Sequence, residues 1–590
     1  MRRAHIESLV MGGAVVAVIT ILVALFGSLG DLWPMPNPII APVGVGCGAA
    51  CGWLATRPTV EAPFRLGAVV VGLGLLLLAL IRSSPLGALE FIGLMAAVAV
   101  ALIGGRTFIT VFSRPVSPRL IACGLGALAL VMMAIVVGGG QLGHDEAAYA
   151  LKARAWLEGT PDTGWDLHRG VGLSVAALPV LLVSDSPEAL RGLSVVFSLG
   201  TLVALWALGR EVRSSGAGVA AAAIFGVAPS FLRRGSEFLS DVPSSGLLFV
   251  TSLFLWRWVT ADSPRDRDLM WAATSAVLAI YVRYQSVLSL ALLAGTFLLI
   301  GWGRIRRRIS SVLGAAFWGL LLLVPHFAFA SAATGHPLGV IMFTAGRGGR
   351  EYVGQGLEDY AREFGDLLAG QIGAVAIVLG VLWIASSLAR GSHRRLALFL
   401  AVPSVGQLVA LGLISHGEPR FVFFPVGLLI LAGVLAWDDL KARASLPAEK
   451  AIVSGLVVAL FASLGVHGAR FDRNAEAMGD SFQALVEAAR LIVDATDGRC
   501  GVVTGLRPQL TWLSACETAL FDLDQPIVQI RGDVDRFLIF TEGGLREPQG
   551  ELKQAYRALA IGSPVRIEGS GSIGDVKVVP LQDWPSPEDD

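Results

Sequence analysis

Repeated apolar runs, each close to the length of a bilayer crossing, dominate this sequence. A spanning helix needs about 17–25 mostly apolar residues. Such runs lie near 9–29, 38–56, 66–82, 86–105, 119–138, 189–209, 215–232, 243–260, 269–283, 285–301, 309–331, 368–389, 395–415, 420–437 and 451–468. Backbone polar groups find no water inside lipid, so runs of this kind fold as helices that satisfy their own hydrogen bonds. Composition agrees: 54% of residues are hydrophobic and 16% charged, against roughly 25% charged in soluble domains. Lys+Arg and Asp+Glu both number 46, so no net field draws nucleic acid. The expected fold is an all-α polytopic membrane protein with about fifteen transmembrane helices.

Basic residues orient the helices. With the N-terminus inside, the inside loops carry Arg57 and Arg65; Arg106, Arg114 and Arg119; Arg210 and Arg213; and Arg265 and Arg267. The later ones carry Arg304 and Arg306–Arg308; Arg390, Arg394 and Arg395; and Lys441, Arg443 and Lys450. All the strongly basic short loops then share one side, as the positive-inside rule requires. This holds only if the apolar piece 171–183 lies on the outer surface, and it is too short to span comfortably. The chain divides into added N-terminal helices (1–140), a membrane core (141–468) whose first outer loop is 141–188, and a tail (469–590). The tail has helical periodicity over 475–495, strand-like runs at 501–504, 537–540 and 576–579, and an amphipathic stretch over 546–560. It reads as a small extracytoplasmic α/β domain.

Cys47, Cys51 and Cys123 sit in apolar runs and read as small buried side chains. If their segment is extracytoplasmic, Cys500 and Cys516 can pair; a helix over 507–515 would turn them apart.

Charged groups expected on the outer side carry the functional reading. They are Asp145 and Glu146; Arg233, Arg234, Glu237 and Asp241; Arg283; and His416, Glu418 and Arg420. A charge at the bilayer centre costs roughly 2.5–3.5 kcal/mol on insertion scales, so such residues line a cavity or sit at an interface. A carboxylate beside arginines suits group transfer: it takes a proton from a hydroxyl while the arginines hold a phosphate. The best carboxylate for this is partly desolvated, with its pKa nudged upward. Glu237 and Asp241 are four apart, which on one helix would put them on one face. They bind a divalent metal or, as we favour, pair with Arg233 and Arg234 and contact the acceptor. Arg283 is a phosphate ligand or a snorkelling interfacial cation. Lys152 and Arg154 are expected to meet lipid headgroups or solvent.

These residues stand in an order that resembles a family. Gly143-His144-Asp145-Glu146-Ala147-Ala148-Tyr149, then Ala153 and Leu157-Glu158-Gly159, resembles the first outer loop of GT-C glycosyltransferases. Protein O-mannosyltransferases and lipid A aminoarabinose transferases carry a similar D-E-x-x-Y-x-x-x-A stretch. His168-Arg169-Gly170-Val171-Gly172-Leu173 resembles their H-R/K-P-P-L segment, with both prolines missing. Ala189-Leu190-Arg191-Gly192-Leu193-Ser194 through Leu208-Gly209-Arg210 is similar to their second core helix. Ser240-Asp241-Val242-Pro243 resembles a second acidic loop motif, and His416-Gly417-Glu418-Pro419-Arg420-Phe421 an H-x-E-x-R-F/Y motif.

The resemblance implies a GT-C-like membrane core over roughly 140–430. It implies sugar transfer, with inversion, from a polyprenyl-phosphate donor to a glycan, lipid or protein acceptor on the outer face. Asp145 is then the catalytic carboxylate, and Glu146 orients acceptor or sugar. Arg283, His416, Arg420 and Arg169 take the donor phosphate. Glu237, Asp241, Arg233, Arg234, Tyr149 and Glu418 support the acceptor side. No cofactor is implied. The competing reading is a polytopic transporter or lipid-glycan flippase, which also needs many helices with polar groups.

Overall fold

The computed structural model describes residues 118–581, apart from 164, 347–349, 442–445, 497–499, 520–533, 545–546 and 560–562. The four apolar runs expected before residue 106, with Cys47 and Cys51, lie outside the described residues. Within them, seven helices are long and apolar enough to cross a membrane. They are Pro187–Val212, Asp241–Thr260, Ser286–Arg307, Ile309–Thr334, Gly370–Arg390, Arg394–Ile414 and Pro419–Leu440. The runs at 119–138 and 269–283 form Pro118–Gly138 and the 17-residue Asp266–Val282. The piece at 171–183 forms the 10-residue helix Gly172–Leu181, too short to span.

The run 215–232 is not one straight helix. Ser215–Gly226 and Pro229–Gly235 meet at 75°. Proline disfavours helical geometry in the residue before it. Ala228 accordingly turns extended, at φ −61 and ψ 132, and the second helix restarts at Pro229. The bend places Arg233 and Arg234 in the last turn of the second helix.

Pro419–Leu440 is the axis of the bundle, and its residues Val422–Leu435 are almost wholly buried. Glycines let its neighbour Gly370–Arg390 approach closely: a Cβ at Gly433 would lie 2.0 Å from the Ala376 carbonyl oxygen, and one at Gly380 2.4 Å from that of Leu429. Phe225, Phe231, Phe249, Phe423 and Phe424 pack ring to ring in the core. Ile309–Thr334 is the least buried of the seven.

The run 451–468 and the periodic stretch 475–495 are parts of one 50-residue helix, Leu446–Ala495. Its end packs Phe482, Leu485, Ala488 and Ile492 against a five-stranded sheet. The strands are β1 (Cys500–Val503), β2 (Glu517–Ala519), β3 (Asp535–Glu542), β4 (Val565–Ile567) and β5 (Asp575–Pro580), in the order β2-β1-β3-β5-β4. β1 is parallel to β2 and β3, while β5 runs antiparallel to β3 and β4. Helix Arg507–Ser514 joins β1 to β2. Cys500 and Cys516 are disulfide-bonded, with Cα atoms 4.9 Å apart. The expected helix is present, but parallel pairing sets Gly501 opposite Glu517 and so brings the preceding cysteines together.

Candidate active site

The site grows from the start of helix His144–Glu158. Asp145 stands in its first turn, where exposed N–H groups favour negative charge. Arg169 donates from Nη2 to Asp145 Oδ1 at 2.8 Å, and Arg420 from Nη1 to Oδ2 at 3.0 Å. Arg420 also donates from Nε to Glu418, whose other oxygen lies 3.7 Å from His416 Nε2. Burial alone would raise the Asp145 pKa, but the guanidiniums of Arg169 and Arg420 hold it well below the usual carboxylate range. The upward shift expected from sequence is therefore reversed. The cause is two cations on one carboxylate, brought from residues 24 and 275 positions away.

Two glycines seat the loop that carries Arg169. A Cβ at Gly170 would lie 2.4 Å from the Tyr281 carbonyl oxygen, and one at Gly172 2.9 Å from the Tyr281 carbonyl carbon. The loop is thereby seated on the end of helix Asp266–Val282. Arg283 caps that helix in extended conformation, in the break before Ser286–Arg307. It forms an ion pair with Asp241 at 2.6 Å and donates to Gln285 Oε1 at 2.9 Å. Ser240 lies 3.4 Å from Arg283 and 3.0 Å from the Tyr149 hydroxyl. The Phe421 ring sits 5.0 Å from the Arg283 guanidinium and 5.6 Å from that of Arg420. The Arg169 guanidinium lies 5.5 Å from the Tyr149 ring. Two ion-pair groups, around Asp145 and around Asp241, thus share aromatic walls.

Glu146 is placed differently from its neighbour. It is buried, and it accepts from Arg191 Nε and Nη2 at 2.8 Å each and from the backbone N–H groups of Phe238 and Gly143 at 2.8 Å each. Its pKa is lowered: burial opposes ionisation, and Arg191 with these N–H donors outweighs it. Arg191 also donates to the Gly140 and Gln141 carbonyls at 2.9 Å each. Arg191, Ser240 and Gln285 stand among the working contacts although sequence reasoning gave them no role. The signals for Arg191 were a cation at the start of an apolar helix and its place in the stretch that resembles the second core helix.

Glu237 pairs with Arg234 at 2.6 Å and with Arg233 at 3.4 Å. It does not share a helix face with Asp241, because the helix of Arg233 ends at Gly235 and the next begins at Asp241. Lys152 and Arg154, expected to meet lipid headgroups or solvent, both have protein partners. Lys152 pairs with Asp162 at 2.6 Å, and Arg154 sits over the Trp512 ring at 3.6 Å. Among the described residues, no cluster of three or more His, Cys, Asp or Glu side chains has the arrangement of a metal site.

Helices long and apolar enough to cross a membrane thus carry a carboxylate–guanidinium cluster at one set of their ends. Residues 171–329 match the family model described as dolichyl-phosphate-mannose-protein mannosyltransferase. The match takes in Arg191, Glu237, Asp241 and Arg283. The structure is similar to ArnT from Cupriavidus metallidurans bound to undecaprenyl phosphate, at 12% identity and TM-score 0.59, covering 79% of this chain and 98% of that one. Its similarity to the apo state of ArnT is 13% identity and TM-score 0.58, covering 78% and 97%. At these identities the likeness shows the fold. An oligosaccharyltransferase from Archaeoglobus fulgidus matches at 12% identity and TM-score 0.48, covering 80% of this chain and 75% of that one. No curated protein matches the sequence significantly.

Proposed function

We propose that this enzyme transfers a sugar from a polyprenyl-phosphate donor to an acceptor hydroxyl on the outer face of the membrane, with inversion. The observation that carries the reading is Asp145 held between Arg169 and Arg420 at the mouth of the bundle. The family match and a fold that, in ArnT, holds undecaprenyl phosphate support the donor class.

In one displacement the acceptor oxygen bonds to the anomeric carbon and the bond from that carbon to the phosphate oxygen breaks. The electron pair leaves on the lipid phosphate, and the acceptor proton passes to Asp145. The arginines stabilise the charge that develops on the phosphate. In the free enzyme the same arginines suppress the basicity of Asp145. Donor phosphate competes for Arg169 and Arg420, loosens their hold, and makes Asp145 a better base only when a donor is present. Arg283 and His416 complete the phosphate side. Glu146 acts from behind, fixing the first turn of the helix rather than touching the sugar. A transporter would place its charges near the bilayer midplane at broken repeats; here they gather at the helix ends.

The test is transfer from a polyprenyl-phosphate sugar in detergent, with donor binding measured separately. Asp145→Asn lowers turnover by about a hundredfold or more, and donor binding stays the same or tightens, since two arginines lose a competing carboxylate. Arg283→Ala and His416→Ala weaken donor binding as well as turnover. Near-normal turnover in Asp145→Asn would move the base elsewhere, to Asp241 first. Retention of anomeric configuration in the product would sink the single displacement.

A further inference from the structure

We infer that the C-terminal domain positions the catalytic helix, through Trp512 and Arg154. The inference rests on Asp145 being the base. Trp512 is buried in the apolar cluster beneath helix His144–Glu158, together with Leu142, Ala147, Tyr149, Leu151 and Phe238. Leu513 packs beside it.

Arg154, on the acidic helix, sits over the Trp512 ring with its Cζ 3.6 Å from the ring centre and donates from Nη1 to the Trp512 carbonyl at 3.0 Å. Its remaining charge is met by Asp185 at 3.5 Å and Glu158 at 3.9 Å. A stacked, hydrogen-bonded guanidinium reads the orientation of its partner, not merely its charge.

Trp512 is itself held firmly. Its helix, Arg507–Ser514, lies inside the loop closed by Cys500 and Cys516. The Thr511 and Thr518 hydroxyls bond at 2.8 Å, tying that helix to β2. The long helix Leu446–Ala495 adds a second contact, because Gly140, just before the acidic helix, rests on Gly479. A Cβ at Gly140 would lie 2.5 Å from the Gly479 Cα.

The acidic helix therefore has two pins. Glu146 and Arg191 fix its first turn, and Trp512 with Arg154 fixes it about 12 Å further along its axis. One pin lets a helix pivot; two set its direction. Asp145 sits beside the first pin, so a pivot about that pin changes the direction of its carboxylate toward Arg169 and Arg420 rather than carrying it far. Such a reorientation penalises the chemical step more than it penalises phosphate binding, because the phosphate ligands stand on other elements.

The experiment compares Trp512→Ala, Trp512→Phe and Arg154→Lys in the full-length protein, with kcat, KM for a polyprenyl-phosphate sugar, and thermal midpoint in detergent. Trp512→Ala is expected to lower kcat roughly tenfold, as small misplacements of catalytic groups do, with donor KM within about twofold. Trp512→Phe keeps a ring and is expected to recover most of the rate. Arg154→Lys keeps the charge and loses the stacking plane; it is expected to fall between them, and it serves where Trp512→Ala does not fold. Wild-type kcat in a folded Trp512→Ala or in Arg154→Lys overturns the inference, as does a parallel loss of kcat and donor affinity. Asp145→Asn separates the two readings. If it is inactive while the Trp512 variants are normal, only the positioning role fails; if it is active, the assignment of the base fails first.

Discussion

Neighbouring carboxylates in this chain have opposite fates, and their partners decide which. Asp145 is partly exposed and flanked by Arg169 and Arg420, while Glu146 is enclosed by Arg191 and two backbone N–H groups. The lowered Asp145 pKa means its ion pairs stabilise the fold above the unfolded value of about 3.9. That contribution fades only as pH falls through the still lower folded value. We therefore predict that kcat/KM, which reports the free enzyme, shows no acid limb from Asp145 between about pH 5 and 8. Arg169→Gln should raise the Asp145 pKa toward the ordinary range; a pH–rate series on both proteins checks this, and a wild-type acid limb near about pH 6 would contradict it. Glu146→Gln leaves the buried Arg191 without its counter-charge and is expected to cost roughly 3–5 kcal/mol of stability. A lowered thermal midpoint and poor recovery from the membrane would show it, while Asp145→Asn should lower the midpoint less, since its carboxylate is partly exposed. Both acids, and the arginines among the site residues, were legible because charges stand out in apolar sequence. Which arginine serves which acid was not, since Glu146 and Arg191 are separated by 45 positions and Asp145 and Arg420 by 275.

Elements follow local rules until a neighbour intervenes. Pro229 marks the bend after Ser215–Gly226, yet hydropathy runs through it unbroken, so the sequence reads as a single span. The helix Leu446–Ala495 crosses from an apolar segment to an amphipathic one, and the change in period hides its continuity. The runs at 501–504, 537–540 and 576–579 fall on β1, β3 and β5; β2 and β4 are three residues each and leave too little pattern to read. The Cys500–Cys516 bond depended on strand pairing, which residue spacing does not report. Closing a loop of this length stabilises a fold by about 3 kcal/mol in the chain-entropy model. The double variant Cys500→Ser, Cys516→Ser is accordingly expected to unfold its tail at lower denaturant, measured by limited proteolysis of the intact protein across a urea series. An unchanged proteolysis midpoint would show that the sheet holds without the bond.

At the scale of the molecule, charge sorts the two ends of the bundle. Arg213 pairs with Asp438 and Asp439, Arg257 with Glu211, and Arg308 with Asp266, all at one set of helix ends. The cluster around Asp145 gathers the opposite ends: the starts of Asp241–Thr260 and Pro419–Leu440, and the break after Val282. Arginine-rich turns such as Arg304–Arg308 and Arg390–Arg395 belong with the first set, which the positive-inside rule assigns to the cytoplasm. A disulfide persists in an oxidising compartment, and Cys500–Cys516 belongs to the domain whose Trp512 packs under helix His144–Glu158. Both signals support the proposed placement of the site and the tail on one outer side, where in our reading the lipid-linked donor meets its acceptor. Single cysteines at Val183 and Ser570, both exposed, should react with a membrane-impermeant thiol reagent in intact cells, while one at Ser263 should react only after lysis. The wild-type chain gives the background from its own cysteines. Labelling of position 263 from outside, or protection of 183 or 570, would invert the orientation. The acidic helix would then face the cytoplasm, and outer-face transfer would fall with it.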